Sequence, residues 1–194
     1  MHMTDSLNAA ERINFELSKI LGGEYPDDRR VTIPVAYCNL SLDHHTAIIL
    51  LFRNKLYGSG LALVRSVFEA MLRAHWVVGC ATDTEVDEVA EDHNFDIMRR
   101  VDPERIDKAF GSDGFFKQAK GDAWKAMNAY THSGLPQLVR QFSGSKVGAS
   151  YSEDDVMEGL RAATASVLLL GYLLAKQAQR YTVAEVEALF EQVP

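Results

Sequence analysis

Two arginines and a glutamate interrupt an apolar stretch of the sequence, LALVRSVFEAMLRAHWVV at residues 61–78. Arg65, Glu69 and Arg73 follow one another at intervals of four residues, so a helix places all three on one stripe. On such a stripe the Glu69 carboxylate can pair with one guanidinium and orient it toward a phosphate or carboxylate. We therefore take Arg65, Glu69 and Arg73 as candidate residues of an anion-binding site.

The same stripe has two purely structural interpretations. On an exposed helix face, salt-bridged pairs contribute only about 0.3–0.5 kcal/mol each. Inside the protein, the three charges would form a paired network that fixes the register of packed helices, because a buried charge must have a partner. The sequence leaves the anion site, the exposed stripe and the buried network open.

A second candidate site lies in the segment NAYTHSG, residues 128–134. Trp124, Asn128 and His132 recur at intervals of four residues, and His132 falls in the last helical turn, where helix carbonyls favour a protonated imidazole. With Tyr130 nearby, His132 suits a general acid–base role or contact with an anion. A histidine that only caps the end of the helix is the structural alternative.

The distribution of charge also favours an anionic ligand. The chain carries a net charge of -7, which argues against a general nucleic-acid coat. Residues 99–146 nevertheless have a net charge of +4, so the rest of the chain carries -11. A basic middle segment in an acidic protein suits a negatively charged ligand, although solvated surface charge would give the same count.

Motifs for common cofactors and metals are missing from the sequence. It contains no Walker loop, no His-Glu-x-x-His, no Cys-x-x-Cys and no Gly-x-Ser-x-Gly. His93 and Asp96 stand one helical turn apart and could supply two metal ligands, but a zinc site needs at least three protein ligands. We therefore expect neither a cofactor nor a metal site.

Helical signals recur along the chain, and strand signals do not. The pattern predicts an all-α, single-domain bundle of about six to eight helices spanning residues 1–194. Its core covers about residues 5–180, and a terminal helix occupies residues 181–194. The charged stripe and the histidine segment would then lie on two different helices of this bundle.

A central antiparallel hairpin should carry the charged stripe. Pro34 suits the first turn of one helix, which continues to about Arg53. Ser59 can cap the next helix, which runs to about Gly79. The connection NKLYGSG is short, so the two helices should pack antiparallel.

The sequence also predicts the cellular location. Its longest apolar run, residues 162–175, contains Thr164, Ser166 and Gly171 and is shorter than the roughly 20 apolar residues of a membrane span. Cys38 and Cys80 fit small buried hydrophobic residues in a reducing compartment. We therefore expect a cytoplasmic protein that makes no membrane contact.

The segments RSVFEAMLRAHW and AYTHSG, following an apolar helical hairpin, resemble bacterial helical families of unknown function that are similar to the HEPN superfamily. The resemblance covers about residues 35–140. It implies a helical bundle, often a homodimer, in a toxin–antitoxin or phage-defence setting. Active HEPN ribonucleases cleave RNA without a metal and carry an arginine that is separated from a histidine by four to six residues. This sequence has no such pair, and in its nearest match six residues separate Lys125 from His132.

Three functions follow as expectations. The first is a HEPN-like homodimer that binds an anionic ligand or a macromolecular partner through Arg65, Glu69, Arg73, Tyr130 and His132. The second is a metal-independent ribonuclease in which His132 is the candidate catalytic residue. The third is a non-catalytic structural or interaction protein.

Overall fold

The protein, analysed as a computed structural model, is described over residues 2–92, 96–132, 134–143, 146–148, 150–178 and 183–194. Within these ranges the chain forms nine α-helices, one 3-10 turn and one pair of two-residue antiparallel strands. The all-α, single-domain fold is therefore confirmed, with slightly more helices than the six to eight predicted. The elements are α1 (Met3–Leu21), α2 (Arg29–Arg53), α3 (Tyr57–Gly79), α4 (Asp83–Glu91), the 3-10 turn (Ile97–Arg99), α5 (Pro103–Phe110), α6 (Phe115–Thr131), α7 (Leu135–Val139), β1 (Phe142–Ser143), β2 (Lys146–Val147), α8 (Glu153–Ala178) and α9 (Val183–Phe190).

The central hairpin consists of α2 and α3, which pack against each other more extensively than any other pair of described helices. The predicted start of α2 was wrong, since the helix begins at Arg29, where the Asp28 side chain accepts a hydrogen bond from the Arg30 amide at 2.8 Å. Pro34 lies inside the helix, where its ring cannot donate a hydrogen bond to the preceding turn. Ser59 is likewise not the cap of α3, which already begins at Tyr57.

The long apolar helix α8 packs across α1, α2 and α3 and completes the core around α3. A capping box of Ser152 and Asp155 precedes its first turn: the Asp155 amide donates to Ser152 Oγ at 3.1 Å. A side chain at Gly171 would collide with Leu17 of α1, so this glycine allows the two helices to approach closely. The stripe-bearing helix α3 is thus held on several sides by packed helices.

Asp107 anchors the start of α6, the helix that carries Trp124 and His132. Its buried carboxylate accepts hydrogen bonds from Ser112 Oγ at 2.6 Å and from the Phe116 and Lys117 amides at 2.9 and 3.0 Å. Burial raises the pKa of Asp107, but these hydrogen bonds outweigh burial and hold it below its ordinary value. The anchor fixes α6 relative to α5 and so positions the candidate histidine.

A buried histidine joins three helices of the bundle. His45 is fully buried, and its Nε2 lies 3.0 Å from Thr164 Oγ1 while its Nδ1 lies 3.1 Å from Asn14 Nδ2. The Thr164 hydroxyl donates to the Leu160 carbonyl at 2.8 Å, so it accepts from His45 Nε2, and Nδ1 accepts from Asn14. His45 is therefore neutral, with its proton on Nε2.

This arrangement predicts that the bundle loses stability in mild acid. Burial lowers the pKa of both His45 and His75 to about 4. Because each folded-state pKa is below that of the unfolded chain, the stabilisation is complete above about pH 6.5 and is lost as the pH falls toward 4. Each histidine should steepen the fall by up to about 1.4 kcal/mol per pH unit, measured by urea unfolding between pH 7 and 4.

His45→Gln provides the control for this acid dependence, since glutamine can donate to Thr164 but takes up no proton. Its free energy of unfolding should vary less steeply with pH than that of the wild type. Parallel curves for the two proteins would show that His45 does not titrate as the geometry requires.

One of the described helices passes a length and composition test for a membrane span, over Glu153–Gln177. The core helices of soluble proteins pass the same test, and 67 % of the apolar window is buried inside the bundle. Cys38 and Cys80 are both free thiols, and burial raises the pKa of Cys38 to about 12. The cytoplasmic location stays a prediction.

Candidate anion-binding site

The charged stripe of α3 is a connected ion network. Glu69 Oε1 accepts from Arg65 Nε at 2.6 Å, and Oε2 accepts from Arg73 Nη2 at 3.0 Å. The side chains of Arg65, Glu69 and Arg73 are 20 %, 13 % and 30 % exposed, so the network is half-buried. One carboxylate therefore orients both guanidinium groups, as the spacing of four residues predicted.

His132 meets the Arg65 end of this network. It caps the C-terminus of α6, and its Nε2 lies 2.8 Å from Arg65 Nη1. A guanidinium has only donors, so Arg65 donates and His132 Nε2 accepts, which assigns the imidazole proton to Nδ1. The structure thus brings together an arginine and a histidine that are 67 residues apart in the sequence.

Trp124 lies beneath the same guanidinium. Arg65 Cζ is 5.0 Å from the centre of the Trp124 ring, and Lys120 Nζ is also 5.0 Å from that ring. Both distances suit cation–π attraction. Arg65 is therefore held by a carboxylate, an imidazole and an aromatic ring, and no described residue accepts from its other N–H donors.

Trp124 also borders a shallow depression of about 400 Å³ between α5 and α6. Lys117, Lys120 and Lys125 line this depression, together with Asp102 and Glu104. Lys117 is paired with Glu104 at 2.8 Å, whereas no carboxylate lies within ion-pair distance of Lys120 or Lys125 among the described residues. Two lysines thus place positive charge beside the Arg65 cluster.

Tyr130, another predicted site residue, lies on a different face of α6. Its ring is 5.8 Å from Arg140 Cζ and 6.5 Å from the Tyr151 ring. Tyr130 lines a cleft of about 560 Å³ between α3, α6 and α8, a cleft that Arg65 and His132 do not line. Positions 130 and 132 point about 160° apart on a helix, which explains why the structure separates them.

Arg73 occupies the other end of the stripe, beside α2. Burial raises the pKa of Tyr37, and the nearby Arg73 guanidinium opposes part of that rise. The Nε of Arg73 is buried and has no hydrogen-bond partner among the described residues. Arg73 is therefore linked to the Arg65 end of the stripe through the Glu69 carboxylate.

Sequence reasoning missed two features around these sites. Lys120 stands one helical turn before Trp124, which was a visible signal for a shared cation–π contact. Arg140 donates through its Nε to Asp155 Oδ2 at 3.2 Å and through Nη2 to the other carboxylate oxygen. Nothing in the spacing of Arg140 indicated that pair.

The structure describes the surroundings of Asp96 but not of His93, the two residues named above as possible metal ligands. His93, which the spacing set one helical turn from Asp96 as a possible metal ligand, lies outside the described residues. Among the residues that the structure describes, no three His, Cys, Asp or Glu side chains are grouped to hold a metal ion.

Comparison with known proteins places the chain in a family. Residues 38–193 match the family model DUF6988, which is described as a family of unknown function. The chain belongs to this family. The matched region contains α3, α6 and α8, and hence every residue of the Arg65 cluster. No curated protein and no solved structure matches the chain.

Proposed function

We propose that this protein binds an anionic, phosphate-bearing ligand at Arg65, His132 and Trp124. The observation that carries the proposal is the 2.8 Å contact between Arg65 Nη1 and His132 Nε2, made by an arginine that Glu69 already orients. A guanidinium fixed in this way can donate two parallel hydrogen bonds to a phosphate without losing side-chain entropy at the moment of binding.

The surroundings of Arg65 favour a nucleotide or RNA over a simple anion. The Trp124 ring offers an apolar face near the cation, and aromatic rings stack on nucleobases with about 1–3 kcal/mol per base. Lys120 and Lys125 add positive charge beside the ring. A ligand with both a phosphate and a base would use all of these groups.

A thermal-shift panel tests the proposal. Inorganic phosphate, adenosine monophosphate and a short single-stranded RNA should raise the unfolding temperature of the wild type, and adenosine, which has no phosphate, should not. Arg65→Ala should remove the shifts. Equal responses of both proteins to every compound would contradict the proposed site.

Metal-independent RNA cleavage is the second candidate function. The arginine–histidine contact favours it, because active HEPN ribonucleases rely on such a pair, although here the two residues come from α3 and α6. A phosphate that takes up the Arg65 donors would free His132 Nε2 to accept the proton of a ribose 2′-hydroxyl. The 2′-oxygen then attacks the adjacent phosphorus, the bond to the 5′-oxygen breaks, and that oxygen takes up a proton.

His132→Ala should abolish such cleavage while leaving the fold intact, because His132 is exposed. The expected results are growth arrest and RNA breakdown on expression of the wild type, and neither with the variant. A wild type that leaves RNA intact would exclude this second function, and anion binding would be unaffected by that outcome.

We place this activity in a cytoplasmic toxin–antitoxin or defence setting, on the strength of the HEPN resemblance. A homodimer belongs to the same proposal, and one surface supports it. Four apolar residues of α7 and of the strand that follows it are at least 49 % exposed: Leu135, Leu138, Val139 and Phe142. Such a stripe of apolar side chains on the solvent side is typical of an interface.

Leu138→Glu should therefore produce a monomer, because a carboxylate in the centre of the stripe cannot be buried against a second copy. Light scattering during size exclusion gives the mass directly. Leu56→Glu is the control, since Leu56 is equally exposed at 54 % but lies outside α7. A wild type that is monomeric at all concentrations would contradict the dimer.

A further inference from the structure

A second cleft, of about 430 Å³, lies between α3, α5, α6 and α8, away from the arginine cluster. Its walls are mainly aromatic and aliphatic, with His75 at the base and Lys176 and Gln177 among the lining residues. The apolar walls include Phe110, Phe115, Phe116, Leu169 and Tyr172. A volume of this size accommodates a small organic molecule.

His75 gives this apolar cleft a single well-defined hydrogen-bond acceptor. The residue is only 4 % exposed, and its Nδ1 lies 2.8 Å from the Met71 carbonyl. A carbonyl can only accept, so Nδ1 carries the proton and Nε2 is a free acceptor. No described residue lies within hydrogen-bond distance of Nε2, which leaves an unpartnered polar atom in a residue that lines the cleft.

Aromatic rings pack against the His75 ring in edge-on and tilted orientations. The His75 ring centre lies 5.3 Å from that of Phe110 and 4.8 Å from that of Phe116, and the Phe115 ring stands edge-on to Phe116 at 5.2 Å. Phe110 and Phe115 remain 39 % and 47 % exposed. These exposed rings leave apolar surface beside the unpartnered acceptor, and a bound aromatic molecule would cover that surface.

Burial also keeps His75 neutral, since it lowers the pKa of this residue to about 4. At neutral pH the imidazole therefore accepts from a ligand and does not attract an anion. The chemistry of the cleft is thus distinct from that of the cationic cluster at Arg65.

We infer that this cleft binds a small aromatic ligand that donates an O–H or N–H hydrogen bond to His75 Nε2. The ring of the ligand would pack between Phe110, Phe116 and Tyr172. This site does not depend on the proposed anion-binding function.

Titration with phenol, indole and toluene tests the inference, because toluene is close to phenol in size and has no donor. Wild-type protein should bind phenol and indole about tenfold more tightly than toluene, as expected for one hydrogen bond to a buried acceptor. In histidine-detected nitrogen NMR, phenol should shift the Nε2 resonance of His75 and toluene should not. Absence of binding, or equal affinity for phenol and toluene, would overturn the inference.

Two variants sharpen the test. His75→Phe keeps a ring at the base of the cleft but removes the acceptor, so its affinities for phenol and toluene should become equal. Leu169→Trp leaves His75 in place and fills the cleft from α8, so it should weaken binding of all three probes. Should the first variant not fold, unchanged binding by the second would still refute the site.

Discussion

Arg65→Ala should weaken binding of adenosine monophosphate or a short RNA by about 10- to 100-fold. That loss corresponds to the roughly 1.5–3 kcal/mol that a hydrogen bond to a charged group contributes. Arg65 is the only residue that contacts Glu69, His132 and the Trp124 ring together among those described, so no neighbour can replace it. Isothermal titration calorimetry of both proteins measures the ratio of dissociation constants.

Two further variants test whether the ligand needs the guanidinium group of Arg65 or only positive charge on the protein. Arg65→Lys keeps a cation but loses the planar pair of donors, so its affinity should lie between those of the wild type and the alanine variant. Arg99→Ala removes an arginine whose side chain is 85 % exposed and whose ion-pair partner among the described residues is Asp96, and it should bind like the wild type. An equal loss in Arg99→Ala would mean that general charge, not the cluster, attracts the ligand.

Glu69→Gln should lower the free energy of unfolding by about 1–3 kcal/mol. The glutamine removes the negative charge that pairs with both Arg65 and Arg73, and the three side chains are at most 30 % exposed. Half-buried cations that lose their counter-charge destabilise a fold more than exposed ones do. Urea unfolding of the two proteins gives the difference.

The binding affinity of Glu69→Gln distinguishes an anion-binding site from an ion network that only fixes the register of the packed helices. If Glu69 orients Arg65 for a ligand, the variant should also bind anions several-fold more weakly at temperatures where it is fully folded. If the network only fixes the helix register, stability falls and affinity is unchanged. Glu16→Gln breaks an exposed pair with Lys19 and should change neither quantity by a measurable amount.

Local patterns in the sequence sufficed for the helical class and for contacts within one helix. The spacing of Arg65, Glu69 and Arg73 predicted their salt bridges because residues four apart face each other on any α-helix. The Ser152–Asp155 capping box is likewise a contact within one helical turn, of the kind that local spacing signals. Pro34 misled the prediction because tertiary packing on α3 and α8 outweighs the hydrogen bond that a proline removes inside a helix.

Contacts between helices were beyond the reach of these patterns. The sequence predicted that Arg65 and His132 lie on separate helices, but it did not predict the distance between them. That distance depends on how Asp107 anchors α6 and how α6 packs on α3. It also grouped Tyr130 with His132, whereas the structure places Tyr130 beside Arg140. The way in which the helices pack decides which residues of different helices come into contact. The periodicity of one sequence shows which residues share a face of a helix, but not which other helix that face contacts.

Fluorescence of Trp124 is the measurement that tests the anion-binding site most directly. The only other tryptophan, Trp76, is fully buried, so a ligand that binds at Arg65 should change the emission of Trp124 alone. Titration with adenosine monophosphate should give a saturable change in the wild type and in Arg99→Ala, and Arg65→Ala should need about 10- to 100-fold more ligand for the same change. A wild type whose emission does not respond, or an Arg65→Ala variant that responds equally, would contradict anion binding at this cluster.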